Sequence, residues 1–165
     1  MSTRIEGIIL RKKVLRDSDL MLSVFTLSDG RIKLVQKRAL KKPQAEIDLF
    51  CRNEFIVAEL KDFSLIYQVS GLNLFAGLRQ KYELLQNASE AVKTVEKITS
   101  TLQPNPELYQ LLKNYLETLN KTTDITTLEN LKLAWYKAIL VNEGIYDGQP
   151  ITEESFKLQV VNYRG

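Results

Sequence analysis

"EGIILRKKVLRDSDLMLSVFTLSDGRIKLVQKRALKK" (residues 6–42) points to the fold through the way apolar bursts alternate with polar breaks. Within it and just before it, "TRIEGIILRK" and "DLMLSVFTL" are rich in Ile, Leu, Val and Phe, the composition of β-strands, and the polar stretch from Lys13 to Ser18 separates them. Asp29-Gly30 follows as a hairpin turn signal, because both residues tolerate the positive φ a tight turn needs. "RIKLVQK" then alternates, with Arg31, Lys33, Val35 and Lys37 on one face and Ile32, Leu34 and Gln36 on the other. A basic loop comes next. Beyond it, "DLFCRNEFIVAEL" and "FSLIYQVSGLNLF" read as two further strands joined near Lys61-Asp62. Five short strands with one long loop after the third predict a small barrel of the OB type over residues 1–73.

After Gly71 the period lengthens from two to between three and four. Leu78, Tyr82, Leu85, Ala88, Val92, Val95 and Ile98 fall on one stripe and predict a single long amphipathic helix, ended by Pro104. Asn105-Pro106 supplies an N-cap and a first-turn proline for a second helix, with Leu108, Leu111, Leu112, Tyr115, Leu116 and Leu119 as its stripe. A third starts between Asp124 and Thr126, where Thr126 and Glu129 have capping-box spacing, and stops at Gly144. Thr152 can cap a short last helix. The expectation is an α+β chain: a five-stranded OB-type barrel (1–73) followed by an α-helical bundle (74–165).

Composition narrows the chemistry. The 165 residues are 44% hydrophobic, enough for a sizeable core, and no apolar run reaches the length of a membrane span. No signal-peptide pattern opens the chain, so the expected location is cytoplasmic. There is no His, which removes the commonest general base and metal ligand. The one Cys, Cys51, sits in a strand-like run and reads as a buried thiol, and no Cys/His zinc site can be assembled. Glycine-rich phosphate loops are absent. Asp17-Ser18-Asp19 reads as a polar turn rather than a metal site. Neither catalytic residues, cofactor nor metal are expected.

Charge is distributed unevenly. Residues 1–61 carry 13 Lys/Arg and 8 Asp/Glu, whereas residues 62–165 carry 10 and 12. Arg11, Lys12 and Lys13 close the first strand; Arg31, Lys33, Lys37, Arg38, Lys41 and Lys42 line the third strand and its loop, with no carboxylate until Glu46. Such a set is either a solvated loop or a site for phosphate neutralisation, and the acid-free run is what the second requires. Of the strand aromatics Phe25, Phe50, Phe55, Phe63 and Tyr67, most are expected in the core.

The order of these pieces resembles the bacterial recombination mediator family RecO. The resemblance rests on the apolar Ile8 to Leu10, the turn Ser18-Asp19, Phe25-Thr26, Gly30 and the basic Lys37 to Lys42. It continues through the helix "PELYQLLKNYLETL" and the turn at Gly144-Ile145-Tyr146. Arg38 stands where the family usually has Gly, and the Cys₄ zinc module of many members is missing. The chain is thus either a short, zinc-free member or a fragment ending before that module. The resemblance implies a non-enzymatic protein that binds single- and double-stranded DNA, anneals strands and helps load recombinase near the nucleoid. It also implies a RecR-type partner protein and the acidic C-terminal tail of single-strand-binding protein as partners. The tail's expected site is an apolar groove on the helices formed by Tyr109, Trp135 and Tyr136 and edged by Lys113, Lys132 and Lys137. A protein-interaction adaptor that has lost DNA binding is the alternative.

Overall fold

The computed structural model describes residues 2–164. Five strands, β1 (Ser2–Val14), β2 (Leu20–Thr26), β3 (Gly30–Gln36), β4 (Arg52–Glu59) and β5 (Ser64–Asn73), close into a barrel in the order β1-β2-β3-β5-β4. Neighbours are antiparallel except β3 and β5, which meet parallel at Leu34↔Ser64 and Val35↔Leu65. This is the expected OB-type barrel. Its interior is filled by alternate residues, among them Ile5, Ile9, Leu22, Val24, Leu34, Phe55 and Val57. Gly7 shares that inward phase, and a Cβ there would lie 2.5 Å from Val24 Cγ1, so the barrel closes only around a bare backbone.

β1 does not keep one alternation along its length. Ile9 pairs with Val24 but Arg11 pairs with Ser23, leaving Leu10 as the extra residue of a β-bulge. Ile8 and Leu10, two apart on the outward phase, and Phe25 opposite Ile8 join Phe50 and Phe75 in a second core outside the barrel, shared with the helices, while the bulge turns Arg11 and Lys13 to the outer face.

Those helices are α1 (Tyr82–Ile98), α2 (Pro106–Lys121), α3 (Leu128–Asn142) and α4 (Glu153–Arg164). The single long helix expected from Leu78 onward is in fact two pieces. A short 3₁₀ turn (Ala76–Arg79) holds the buried Leu78, Lys81 is extended, and α1 begins at Tyr82, whose side chain is exposed. The break lets Gly77 press against the end of α2, where a Cβ would meet the Asn120 carbonyl at 2.6 Å. Asn105 caps α2 as its sequence suggests, accepting from the Leu108 N–H at 3.1 Å. The Thr126/Glu129 capping box does not form: Asp124 accepts from the Thr126 N–H instead, nucleating a 3₁₀ turn ahead of α3. Gly144 ends α3 in the left-handed region (φ +74°), which lets the Ile145 N–H reach back to the Leu140 carbonyl. Thr152 caps α4, taking a bond from the Ser155 N–H at 3.0 Å.

Two polar clips fix the helices on the barrel. The Tyr109 hydroxyl donates to Glu6 Oε2 at 2.6 Å, and Arg52 donates to the same oxygen at 2.9 Å. Burial, then the carboxylate beside it, push the Tyr109 hydroxyl far above its usual range, so it stays a donor. On the other side Arg31 donates to the Thr99 hydroxyl and carbonyl, and the Leu102 N–H donates to the Arg31 carbonyl. The chain between α1 and α2 thereby lies along β3 and shields its edge. There Gly30, at φ +75°, leaves no room for a Cβ against the Gln103 backbone. Tyr109→Phe keeps the ring in the core but removes one donor to the half-buried Glu6 carboxylate. We expect it to lower unfolding stability by about 1–2 kcal/mol in urea, with little change in the m-value.

Candidate nucleic-acid interface

The barrel register assembles the basic residues in part. Arg11 lies opposite Ser23, and Ser23 lies opposite Lys33, so the three form one line across β1, β2 and β3 on the outer face. Lys13 and Arg31 are each two residues from a member of that line and share its face. Together they line a groove of about 200 Å³, floored by Met21 and Ser23 and bounded by Glu96 and Thr101. The Ser23 hydroxyl oxygen lies beneath the groove surface, shielded from solvent and without a partner among the described residues. Ser23 is a site residue that composition alone did not flag; its only signal is a small polar residue on the outward phase of an apolar strand.

The nine expected cations are not equivalent. Arg31 is committed to Thr99, and Arg11 lies 3.6 Å from Glu96 at the groove wall. Lys12, on the other phase of β1, leaves the groove and donates to Asp48 at 2.7 Å. Asp48 also holds Arg79 at 2.8 Å, and the Arg79 guanidinium covers the Phe50 ring at 4.5 Å. Burial pushes the Asp48 carboxyl upward. The hydrogen bonds from Lys12 and the Leu49 N–H, with the charges of Lys12 and Arg79, outweigh that and hold it below the ordinary range. Lys13, Lys33, Lys37, Arg38, Lys41 and Lys42 enter no ion pair among the described residues. The carboxylates closest to hand, Asp19 on the loop backbone and Glu96 at the groove wall, are not paired with them.

The loop carrying the last four is held by its backbone rather than its side chains. Arg38 takes the left-handed conformation (φ 58°) that a glycine would favour there. Its N–H donates to Asp19 Oδ1 at 2.8 Å, and the Leu40 N–H donates to the Ser18 carbonyl at 3.0 Å. Asp17-Ser18-Asp19 is thus the anchor of the basic loop. Ala39 and Ile47 turn inward and plug the barrel end, which leaves Lys37, Arg38, Lys41 and Lys42 in solvent. Cys51 is buried, and burial raises its thiol pKa.

The residues expected to receive a peptide on the helices do not make the groove foreseen for them. Tyr109 is fully buried on Glu6, Trp135 stacks on Tyr115 at 4.9 Å between centroids, and Tyr136 stacks on Phe156 at 3.9 Å. A small bundle needs wide apolar faces for its own packing, and these rings supply it. Lys132 is clamped between Glu129 and Glu153, Lys137 lies over the Tyr146 ring at 5.4 Å, and half-buried Lys113 is on α2. A different cleft is open instead. About 950 Å³ in volume, it runs between α1 and α4 over Tyr136, Phe156 and Val160, with Lys93, Lys97 and Lys157 on its rim. It shares Arg31 and Glu96 with the barrel groove.

Comparison with known proteins agrees with this architecture. Residues 1–75 match the family model described as recombination protein O N terminal. The chain is similar to the DNA repair protein RecO of Geobacter metallireducens, 28% identical over 123 residues that make up 73% of this chain and 50% of that protein. It is similar to the DNA repair protein RecO of Alkaliphilus metalliredigens, 27% identical over 124 residues (73% and 50%). It is also similar to that of Bacillus subtilis, 26% identical over 140 residues (81% and 54%). The chain spans about half the length of the curated relatives it matches. No helix among the described residues is long and apolar enough to cross a membrane.

Asp48 ties Lys12, Arg79 and the Leu49 backbone together, so its ionisation supports the fold. With its folded pKa below the ordinary 3.8, this support is present above that value and is lost as pH falls through the folded one. The stability gap between the parent and Asp48→Asn, measured by urea unfolding, should therefore be present at neutral pH and close progressively in acid.

Proposed function

We propose that the chain, whose residues 1–75 match the recombination protein O N-terminal model, is a non-enzymatic DNA-binding protein of recombination and repair. The barrel (1–73) holds DNA through its phosphates, and the helices (74–165) hold a protein. The observation that carries this reading is the run of unpaired cations. Lys13 and Lys33 stand on the barrel groove, and Lys37, Arg38, Lys41 and Lys42 continue from the end of β3. Each phosphate neutralised releases condensed counterions, so a set of this kind favours any nucleic acid without reading its sequence. Arg11 and Arg31 contribute field more than contact, since Glu96 and Thr99 hold them, and Lys12 serves Asp48. Backbone contacts that leave bases exposed suit the annealing of complementary single strands and assistance in loading a recombinase onto them, alongside a RecR-type partner in the cytoplasm.

Changing Lys37, Arg38, Lys41 and Lys42 together to Gln should weaken binding to every sequence alike. It should also flatten the plot of log affinity against log salt, by ~0.7 for each single-strand phosphate that is no longer neutralised. A titration of labelled oligonucleotide at several salt concentrations reads both quantities. An unchanged slope in the folded variant would make the loop merely solvated and favour the adaptor without DNA binding.

A second reading is favoured by the α1–α4 cleft. Its apolar floor and lysine rim suit an acidic peptide with an aromatic end, the chemistry of a single-strand-binding protein tail: the ring fills the cleft and the carboxylates meet Lys93, Lys97 and Lys157. In an NMR titration with such a peptide, shifts should centre on Phe156 and Val160, and deleting the terminal ring should abolish them. Shifts centred instead on Leu133 and Ile151 would assign the peptide to the other side of α3.

A further inference from the structure

We propose that Tyr67 is a stacking platform for an unpaired base, placed so that the basic loop holds the phosphates while the ring selects single strands over duplex. This rests on the reading of the loop as a phosphate site, and it adds a residue and a selectivity that the charges alone do not supply.

Strand aromatics of this chain are mostly core: Phe25, Phe50 and Phe55 are fully buried. Tyr67 is 68% exposed. It stands out of the sheet for a definite reason. On β4, Ile56 and Val57 are consecutive, yet their partners on β5 are Gln68 and Ile66. Tyr67 is the extra residue of a β-bulge, a device that re-aims a side chain away from the alternation of its strand. Its hydroxyl and ring take part in no hydrogen bond or ring contact among the described residues.

Its surroundings identify what it would receive. The parallel ladder of β3 and β5 ends at Val35↔Leu65. The chain leaving β3 turns first to Asp19 and Ser18, which accept from the Arg38 and Leu40 N–H groups, and comes to the far end of β5 only at Glu46. There Asn53 Nδ2 donates to the Glu46 carbonyl at 2.8 Å, and Glu46 Cγ would lie 3.4 Å from a Cβ on Gly71. The basic loop therefore leaves from beside Leu65 and returns beside Gly71, and Tyr67 follows Leu65 by two residues as Lys37 follows Val35 on the parallel strand, so the loop's first cation departs the ladder next to Tyr67. Lys37, Arg38, Lys41 and Lys42 are all exposed in that loop, and no carboxylate occurs in the sequence between Asp29 and Glu46.

An exposed π-face beside unpaired cations matches the composition of a single strand, with aromatic bases strung on phosphates. A protein or peptide anion would satisfy the cations but leave the ring without a partner. In a duplex the base faces are already stacked on one another, so only the phosphates remain for the loop. Tyr67 thus adds affinity to one form alone.

The test uses the full chain with Tyr67→Ala, Tyr67→Phe and Tyr67→Trp, a labelled oligo-dT and a labelled hairpin duplex. Tyr67→Ala should lose roughly tenfold in affinity for oligo-dT, the scale of one base–aromatic stack, with duplex affinity and salt slope unchanged. Tyr67→Phe should bind like the parent. Tyr67→Trp should show fluorescence quenched by oligo-dT and not by the hairpin, against the buried Trp135 as background. Equal losses on both probes, or none on oligo-dT, would overturn the proposal. If the four-residue charge variant loses binding while Tyr67→Ala does not, the stacking role alone fails. A parent chain that binds neither probe removes the phosphate reading and this inference together.

Discussion

The outer face of β1 and β2 is apolar where a free-standing barrel would need it to be wet. Ile8, Leu10 and Phe25 point away from the barrel interior and have to be covered, and the helices are what covers them. Burying three such side chains stabilises by several kcal/mol, at ~1.5–3 kcal/mol each when complete. That gain binds the two halves into one packed body. The Glu6–Arg52–Tyr109 cluster then sets where the helices sit, because the half-buried Glu6 carboxylate accepts from a barrel donor and a helix donor on one oxygen. The Arg31–Thr99 clip does the same at the opposite edge, and it decides which part of the basic surface stays open.

Two of the three register shifts in the barrel, those at Leu10 and Tyr67, perform related work. The first shifts the phase of β1 after Leu10, so that Arg11 and Lys13 face the groove and Lys12 is sent to Asp48. The second lifts a ring out of β5 beside the basic loop. Each extra residue costs ladder hydrogen bonds, which the surrounding pairs in the same strands offset.

Electrostatics divides the cations by whether the fold needs them. Arg11, Lys12, Arg31, Arg52 and Arg79 hold helices, loops or carboxylates in place. Lys13, Lys33 and the loop residues have no such duty. Loop shape is set by Asp19, Ser18 and the apolar plug of Ala39 and Ile47, so the side chains are free to neutralise charge brought by a partner. A rigid backbone with unpaired cations lowers the ordering cost of binding.

Period-two patterning, the Asp29-Gly30 turn and the long basic loop made the five-stranded barrel legible, because each is a local property of the chain. The cap at Asn105-Pro106, the stop at Gly144 and the cap at Thr152 were legible for the same reason: they involve residues within a few positions of one another. The split before α1 was not, since Gly77 obeys the end of α2, more than forty residues away. Nor did Arg11, Lys12 and Lys13 announce that they would part, because a register shift leaves no mark on a run of three cations. Tyr109, Trp135 and Tyr136 look in sequence like surplus apolar surface. Only the packing of α1, α2 and α4 against them consumes that surplus, and only the same packing opens the cleft over Phe156 and Val160. Periodicity and composition are enough to specify which elements form and where charge accumulates. Which of those charges and rings remain available is settled in three dimensions, because availability depends on what long-range contacts have already taken.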